Sequence, residues 1–211
     1  MRHAYSALFI LILPLVVLRL LWRSRRAPAY RRRLGERLGF FDLPRDPRPL
    51  LWLHAVSLGE TIAALPLVER LLTAHDDHRI LVTTTTISGS TQVRRLFGDR
   101  VLHVYAPWDT PGAVRRFFAR CRPRALILME TELWPNMLHR CRREGCRVLL
   151  ANARLSERSA AGYARVGAMT RDMLAAFDAI ARSRQIPGGH VAAGIQFFKA
   201  GIGQQIDRVL S

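Results

Sequence analysis

The sequence is almost without lysine. Lys199 is the only one, so the formal net charge of +17 over 211 residues is carried by arginine. Acidic residues are scarce too, 16 Asp and Glu against 33 Lys and Arg. Such a balance calls for an anionic partner, either nucleic acid or a phosphate-bearing membrane surface, and charge alone does not choose. Cysteine is limited to Cys121, Cys141 and Cys146, an odd number with no CxxC pair. That argues against a disulfide framework and for reduced thiols in or near helices. The seven histidines show no HExxH spacing, and no metal is expected. Asp76, Asp77 and His78 fall between a helical and a strand pattern and read as a solvated turn. Neither a Walker pattern nor GxGxxG is present, so no standard nucleotide-phosphate loop is expected. What is plentiful is apolar side chain, 49% of the residues, enough for a sizeable core.

Residues 5–21 are almost wholly apolar, interrupted by Pro14 and Arg19. That is short of the ~20 residues that span a bilayer comfortably. A cleaved signal peptide needs a small-residue cleavage site after its apolar stretch. Here the stretch runs into Trp22, Arg23, Arg25 and Arg26, then Arg31, Arg32, Arg33 and Arg37. The reading is an uncleaved anchor with the rest of the chain on the cytoplasmic side. Spanning the membrane and lying in its interface both stay open. The arginine collar either only fixes topology or holds the chain on anionic lipid, at roughly 1 kcal/mol per charge. No nucleic-acid recognition motif accompanies it, so no nucleic-acid partner is expected.

Four segments follow from composition: the anchor and start of the collar at 1–26, a basic linker at 27–49 with Pro44, Pro47 and Pro49, a domain at 50–181, and a divergent tail at 182–211. In the domain, short apolar runs at 50–55, 79–85, 101–105, 125–129 and 147–152 read as strands. Helical patterns separate them at Ile62, Leu65, Val68 and Leu72, and at 90–97, 112–121, 133–143 and 156–177. Pro66 should bend the first helix or mark its effective start. The fold class expected is α/β, a Rossmann-like doubly wound parallel sheet preceded by a membrane-anchor helix. Ligands of such sheets bind outside the carboxyl ends of the strands.

Three loops at such ends are chemically loaded. The first runs from His54 to Glu60. Gly59 permits a tight turn and close approach of substrate. Ser57 belongs to the same turn, and Glu60 opens the helix, where it either serves chemistry or complements the helix dipole. A helix start lowers its pKa, and burial raises it. In the second loop, Thr85, Ser88 and Gly89 offer hydroxyls and a backbone amide that suit a phosphate, but on these residues alone a strand of threonines ending in a serine-capped helix is the better reading. In the third, a strand delivers Glu130 to the sheet edge, followed by Glu132, Trp134 and Asn136. Pro135 suits the first turn of the next helix. Two acids, a tryptophan and an asparagine read as a sugar site, or one of the acids serves as a helix-start charge.

Together these segments resemble the N-terminal half of the 3-deoxy-D-manno-octulosonic acid (Kdo) transferase family. The matches are Ala-Pro-Ala-Tyr-Arg…Gly-Glu-Arg-Leu-Gly-Phe at 27–40, the loop at 54–60, Met-Glu-Thr-Glu-Leu-Trp-Pro-Asn at 129–136 and Ala-Asn-Ala-Arg-Leu-Ser-Glu-Arg-Ser at 151–159. The resemblance implies a glycosyltransferase B fold of two Rossmann-like halves at the cytoplasmic face of the inner membrane of Gram-negative bacteria. It implies inverting transfer of Kdo from CMP-Kdo, a donor substrate and not a cofactor, onto the lipid A precursor lipid IV(A), with no metal in the catalytic step. It assigns Glu60 as proton acceptor and Glu130 as transition-state stabiliser. The other expected partners are anionic membrane lipids. The resemblance covers roughly residues 1–181. Beyond it, a Gln-x-Glu-like and a Gly-x-Leu-Lys-Phe-Asp-like stretch are expected and not found, and the neighbours of Lys199 rule it out as the missing lysine. The tail holds four of the five glutamines. The expectation is a truncated or frameshifted chain without the donor-binding half, inactive alone and binding CMP-Kdo only if that half is supplied. The alternative is a non-catalytic, membrane-associated lipid A-binding remnant.

Overall fold

A computed structural model describes residues 1–25, 28, 31–130, 134–151 and 172–181. Side chains alternate across a strand, so a run apolar at every position must be covered on both faces. The runs become β1 (Leu50–His54), β2 (Arg79–Thr84), β3 (Leu102–Tyr105), β4 (Pro123–Met129) and β5 (Arg147–Ala151). A short sixth strand, β6 (Ala179–Ala181), adds to the five read from sequence. All neighbours pair in parallel, in the order β3-β2-β1-β4-β5-β6.

Helices cover both faces. On one side α3 (Leu58–Ala63), α4 (Leu65–Ala74) and α5 (Ile87–Phe97) bury Val68, Leu71, Val93 and Phe97 against Leu51, Leu53, Val82 and Ile127. On the other, α6 (Pro111–Cys121) and α7 (Pro135–Glu144) bury Phe117, Phe118, Leu138 and Cys141 against Leu50, Trp52, Leu126 and Leu128. Each large apolar side chain so buried contributes about 1.5–3 kcal/mol before entropy is counted. The three cysteines are buried and free. The first helical pattern breaks at Ala64, and Pro66 sits in the first turn of α4, where its missing N–H costs nothing.

Three of the helices that leave the sheet, α3, α5 and α6, start alike. Ser57, Thr86 and Thr110 are N-caps whose hydroxyls accept from the amides of Glu60, Gly89 and Ala113. A threonine, not a serine, thus caps α5. Ahead of the sheet lie α1 (Arg2–Ser24), with Pro14 inside it, and the short α2 (Leu34–Arg37). By length and composition α1 is apolar enough to cross a membrane, as an anchor or a signal sequence would be. The basic segment is packed onto the sheet's carboxyl edge. Arg33 donates to Ser90 Oγ (2.9 Å) and the His103 carbonyl (3.0 Å), and Arg116 donates to the Leu38 carbonyl (2.7 Å). Gly39 has φ +81°, and a Cβ there would come within 2.6 Å of the Ala113 carbonyl oxygen, so the crossing needs glycine. Of the helix expected at 156–177, residues 156–171 lie outside the described residues, and 172–174 are helical.

Candidate functional site

In this strand order the chain builds one half of the sheet outward from β1, then returns to build the other half from β4. The loops leaving β1 and β4 diverge to opposite sides and open a crevice between them. Glu60 stands on the first loop and Glu130 on the second, so the fold brings both assigned carboxylates to this point.

Glu60 is 8% exposed. Its Oε2 accepts from the Val56 amide (2.8 Å) and its Oε1 from the Ser57 hydroxyl (2.8 Å). Those bonds favour the charged form, yet burial outweighs them and the neighbouring Glu130 adds repulsion, so its pKa is raised. Between helix start and burial, burial wins. Both oxygens keep a further lone pair, so capping and proton acceptance are compatible.

Glu130 has φ 59° although it is not glycine, and its amide donates to the Ala151 carbonyl (2.9 Å). A left-handed backbone costs a non-glycine residue of order 1 kcal/mol or more and collects at functional sites. The strain turns the chain sharply at the end of β4.

Beside the carboxylates lies a cavity of about 430 Å³, whose lining includes Phe9, Arg37, His54, Thr85, Trp108 and Trp134. Neither Glu60 nor Glu130 lines it, and Glu60 meets it through Val56, which does. Arg37 is the cation of this wall. It donates to the Thr85 carbonyl (2.7 Å) and stacks 4.2 Å over the Tyr105 ring. His54, fully buried, shares the Thr83 hydroxyl with the Trp52 indole. Burial lowers its pKa to about 4, so it is neutral at pH 7. The Trp134 indole N–H is buried and finds no partner among the described residues. It is a donor left over for a ligand oxygen.

Asn136 has no such freedom. It is 3% exposed; its Nδ2 donates to the Asp109 carbonyl (2.6 Å), and its Oδ1 accepts from Ser6 Oγ (3.0 Å) and Arg2 (3.1 Å). Asp109, absent from the sequence reading, takes over the cap that Trp134 cannot supply to α7. Its two oxygens accept from the amides of Asn136 (3.0 Å) and Met137 (2.8 Å). Arg37 and Trp108 were likewise missed as wall residues. The only signal was Arg37's place in the Gly-Glu-Arg-Leu-Gly-Phe motif.

In the second loop, Thr85 donates its hydroxyl to the Val56 carbonyl (3.1 Å), and exposed Ser88 lies 3.4 Å from Thr86 Oγ1. The Gly89 amide is held by Thr86, so the cap reading accounts for it. Glu132 lies outside the described residues. At the opposite edge of the sheet, the turn before β2 brings ligand atoms of His75, Asp77 and His78 within 4.8 Å of one another. His78 Nδ1 is 2.7 Å from Asp77 Oδ1, while Asp76 stands apart from the group.

Comparison with known proteins gives a consistent result. A family model described as 3-Deoxy-D-manno-octulosonic-acid transferase (kdotransferase) matches residues 32–189. A 3-deoxy-D-manno-octulosonic acid transferase of Haemophilus influenzae is 39% identical over 192 residues, 90% of this chain and 45% of that protein. A probable mitochondrial one of Arabidopsis thaliana is 40% identical, over 74% of this chain and 35% of its own length. One of Bordetella pertussis is 40% identical, over 76% and 40%. The chain thus spans less than half the length of these curated relatives.

Proposed function

The chain belongs to the 3-deoxy-D-manno-octulosonic-acid (Kdo) transferase family, and from that premise we propose that it supplies the acceptor side of a glycosyltransferase moving Kdo from CMP-Kdo onto a hydroxyl of lipid IV(A). The carrying observation is the pair Glu60 and Glu130 at the sheet's switch point, with Glu60 buried and its pKa raised. A carboxylate so placed is a stronger base than one in water, and it takes the acceptor's hydroxyl proton as the oxygen attacks the Kdo anomeric carbon. The Val56 amide and the Ser57 hydroxyl hold its plane while the proton transfers. Glu130, across the crevice, stabilises positive charge developing on the transferred sugar. Attack from the face opposite the CMP leaving group inverts the anomeric centre in one displacement.

The cavity wall fits an anionic, hydroxyl-rich acceptor. Arg37 offers a cation to a phosphate, the free Trp134 N–H a donor to a sugar oxygen, and Gly59 room for backbone approach. The donor contacts we place in the length of the relatives that this chain does not span. The soluble domain faces the cytoplasm, where CMP-sugars are made, with α1 at the inner membrane.

The test is Glu60→Gln in a chimera that joins residues 1–181 to the remaining length of the Haemophilus influenzae relative. The amide still accepts from Val56 but no longer accepts a proton. Single-turnover transfer should fall by roughly 10²–10⁴-fold, with stability lower by only about 1 kcal/mol. Transfer at the parent rate would leave Glu60 a helix cap and move the base elsewhere.

A further inference from the structure

The apolar helix α1 is long enough, at 23 residues, to cross a bilayer. Its surface is not that of a crossing helix. A stripe of positions is buried or half-buried along the full length: Arg2, Ser6, Phe9, Leu13, Leu20 and Ser24. The spacing places these less exposed positions on one helical face. Exposed Leu8, Leu11, Leu15, Leu18 and Trp22 fall at the same three- and four-residue spacing on another face. Two serines on the protected face are each under a tenth exposed.

The N-terminal end is latched. Ser6 and Arg2 donate to Asn136 Oδ1, and the Tyr5 side chain lies near the Asp109 carboxyl. Phe9 lines the cavity beside the carboxylates. The far end is tethered by the chain that follows, since Arg33 is fixed on Ser90 and His103. If α1 crossed the membrane from its latched end, Ser24 would stand about 35 Å away on the other side. The chain from Ser24 to Arg33 reaches ~30 Å only when fully extended. It would have to return through a hydrocarbon core ~30 Å thick. Its arginines, at about 2.5–3.5 kcal/mol each, and its unpaired backbone groups forbid that path. Arg2 stands at one end of α1 and Arg23 and Arg25 at the other, so both ends carry cations suited to an anionic interface. A hollow of about 460 Å³ at its first turn is lined by Arg2, His3, His139 and Arg142 with one acid, Asp172, a net cationic surface for lipid phosphates.

We propose that α1 lies in the plane of an anionic membrane interface with both ends on the domain's side, its Leu8–Trp22 face in the lipid and its polar edge held on the domain. The helix is then a surface float and not a transmembrane tether.

Single-cysteine reporters test this without any Kdo chemistry. His3→Cys reports the first turn of α1, and Arg143→Cys reports the domain. Both parent positions are exposed, and the native cysteines are buried, so background is low. Each variant is expressed in full, and sealed inside-out and right-side-out inner-membrane vesicles are treated with a membrane-impermeant maleimide. The expected result is at least tenfold stronger labelling of both reporters in inside-out vesicles. Labelling of His3→Cys from the face opposite to Arg143→Cys would overturn the proposal. So would failure of His3→Cys to react in either orientation while Arg143→Cys reacts.

Discussion

Asp109 carries a charge problem that chain order hides. It is 1% exposed and accepts from two amides at the start of α7, bonds that favour the carboxylate. Burial outweighs them and raises its pKa to about 6. The folded chain therefore holds this proton at pH values where the unfolded chain, near 3.8, has released it. The resulting stabilisation is full below about pH 3.8 and is lost as pH rises through about 6. Asp109→Asn removes the titration and keeps one acceptor oxygen. The stability of the parent relative to the variant should therefore fall by on the order of 2–3 kcal/mol between pH 4 and pH 7.5. Denaturant unfolding at the two pH values measures it. A difference independent of pH would mean that Asp109 titrates as it does in water. No sequence pattern marked this residue, because its partner Asn136 is 27 positions away and the cap crosses between elements.

At the scale of elements, two glycines of the loaded loops have different causes. Gly89, in the first turn of α5, has no room for a side chain. A Cβ would stand 2.9 Å from Thr86 Oγ1 and 3.2 Å from Thr84 Cβ. Gly59, in the first turn of α3, has room, its nearest neighbour being Ser57 Oγ at 3.9 Å. Gly89→Ala should thus cost about 1–3 kcal/mol by overpacking. Gly59→Ala should leave stability unchanged or raise it by up to about 1 kcal/mol, since alanine is the better helix former. If the acceptor approaches this backbone, Gly59→Ala in the chimera raises the acceptor KM while the fold holds. Thermal unfolding and acceptor titration on the same protein read both effects. Equal destabilisation by the two changes would refute the packing difference, and an unchanged KM would remove Gly59 from the acceptor surface.

The elements themselves were legible where the physics is local. Apolar runs such as Leu50–His54 need cover on both faces, and that alone predicts buried parallel strands. A residue just past such a run stands at the carboxyl edge, which is how Glu60 and Glu130 were found. β6 escaped because Ala179–Ala181 is too short to show a period. Arg37 on Thr85, 48 positions apart, and Ser6 on Asn136, 130 apart, escaped because they depend on tertiary packing. The collar reads from sequence as either a topology signal or charge for anionic lipid, yet Arg33 and Arg37 are built into the domain. Nothing in composition separates a guanidinium bound for a lipid phosphate from one bound for a carbonyl.

The described residues present one Rossmann-like sheet whose carboxyl edge bears Glu60 and Glu130, with Arg37 on a neighbouring cavity wall and an apolar helix beside it. One such sheet gives an acceptor a surface. Transfer needs the donor's anomeric carbon held against the acceptor hydroxyl, and orientation of that kind is worth on the order of 7–11 kcal/mol of barrier. One base does not replace it. The most direct measurement is transfer of Kdo from CMP-Kdo to lipid IV(A), followed by mass spectrometry. It compares the 211-residue chain with the chimera carrying the remaining length of the Haemophilus influenzae relative. The expected result is transfer by the chimera and none above background by the chain alone. Robust turnover by the chain alone would contradict its assignment as the acceptor side, as would a folded, CMP-Kdo-binding chimera that never transfers the sugar.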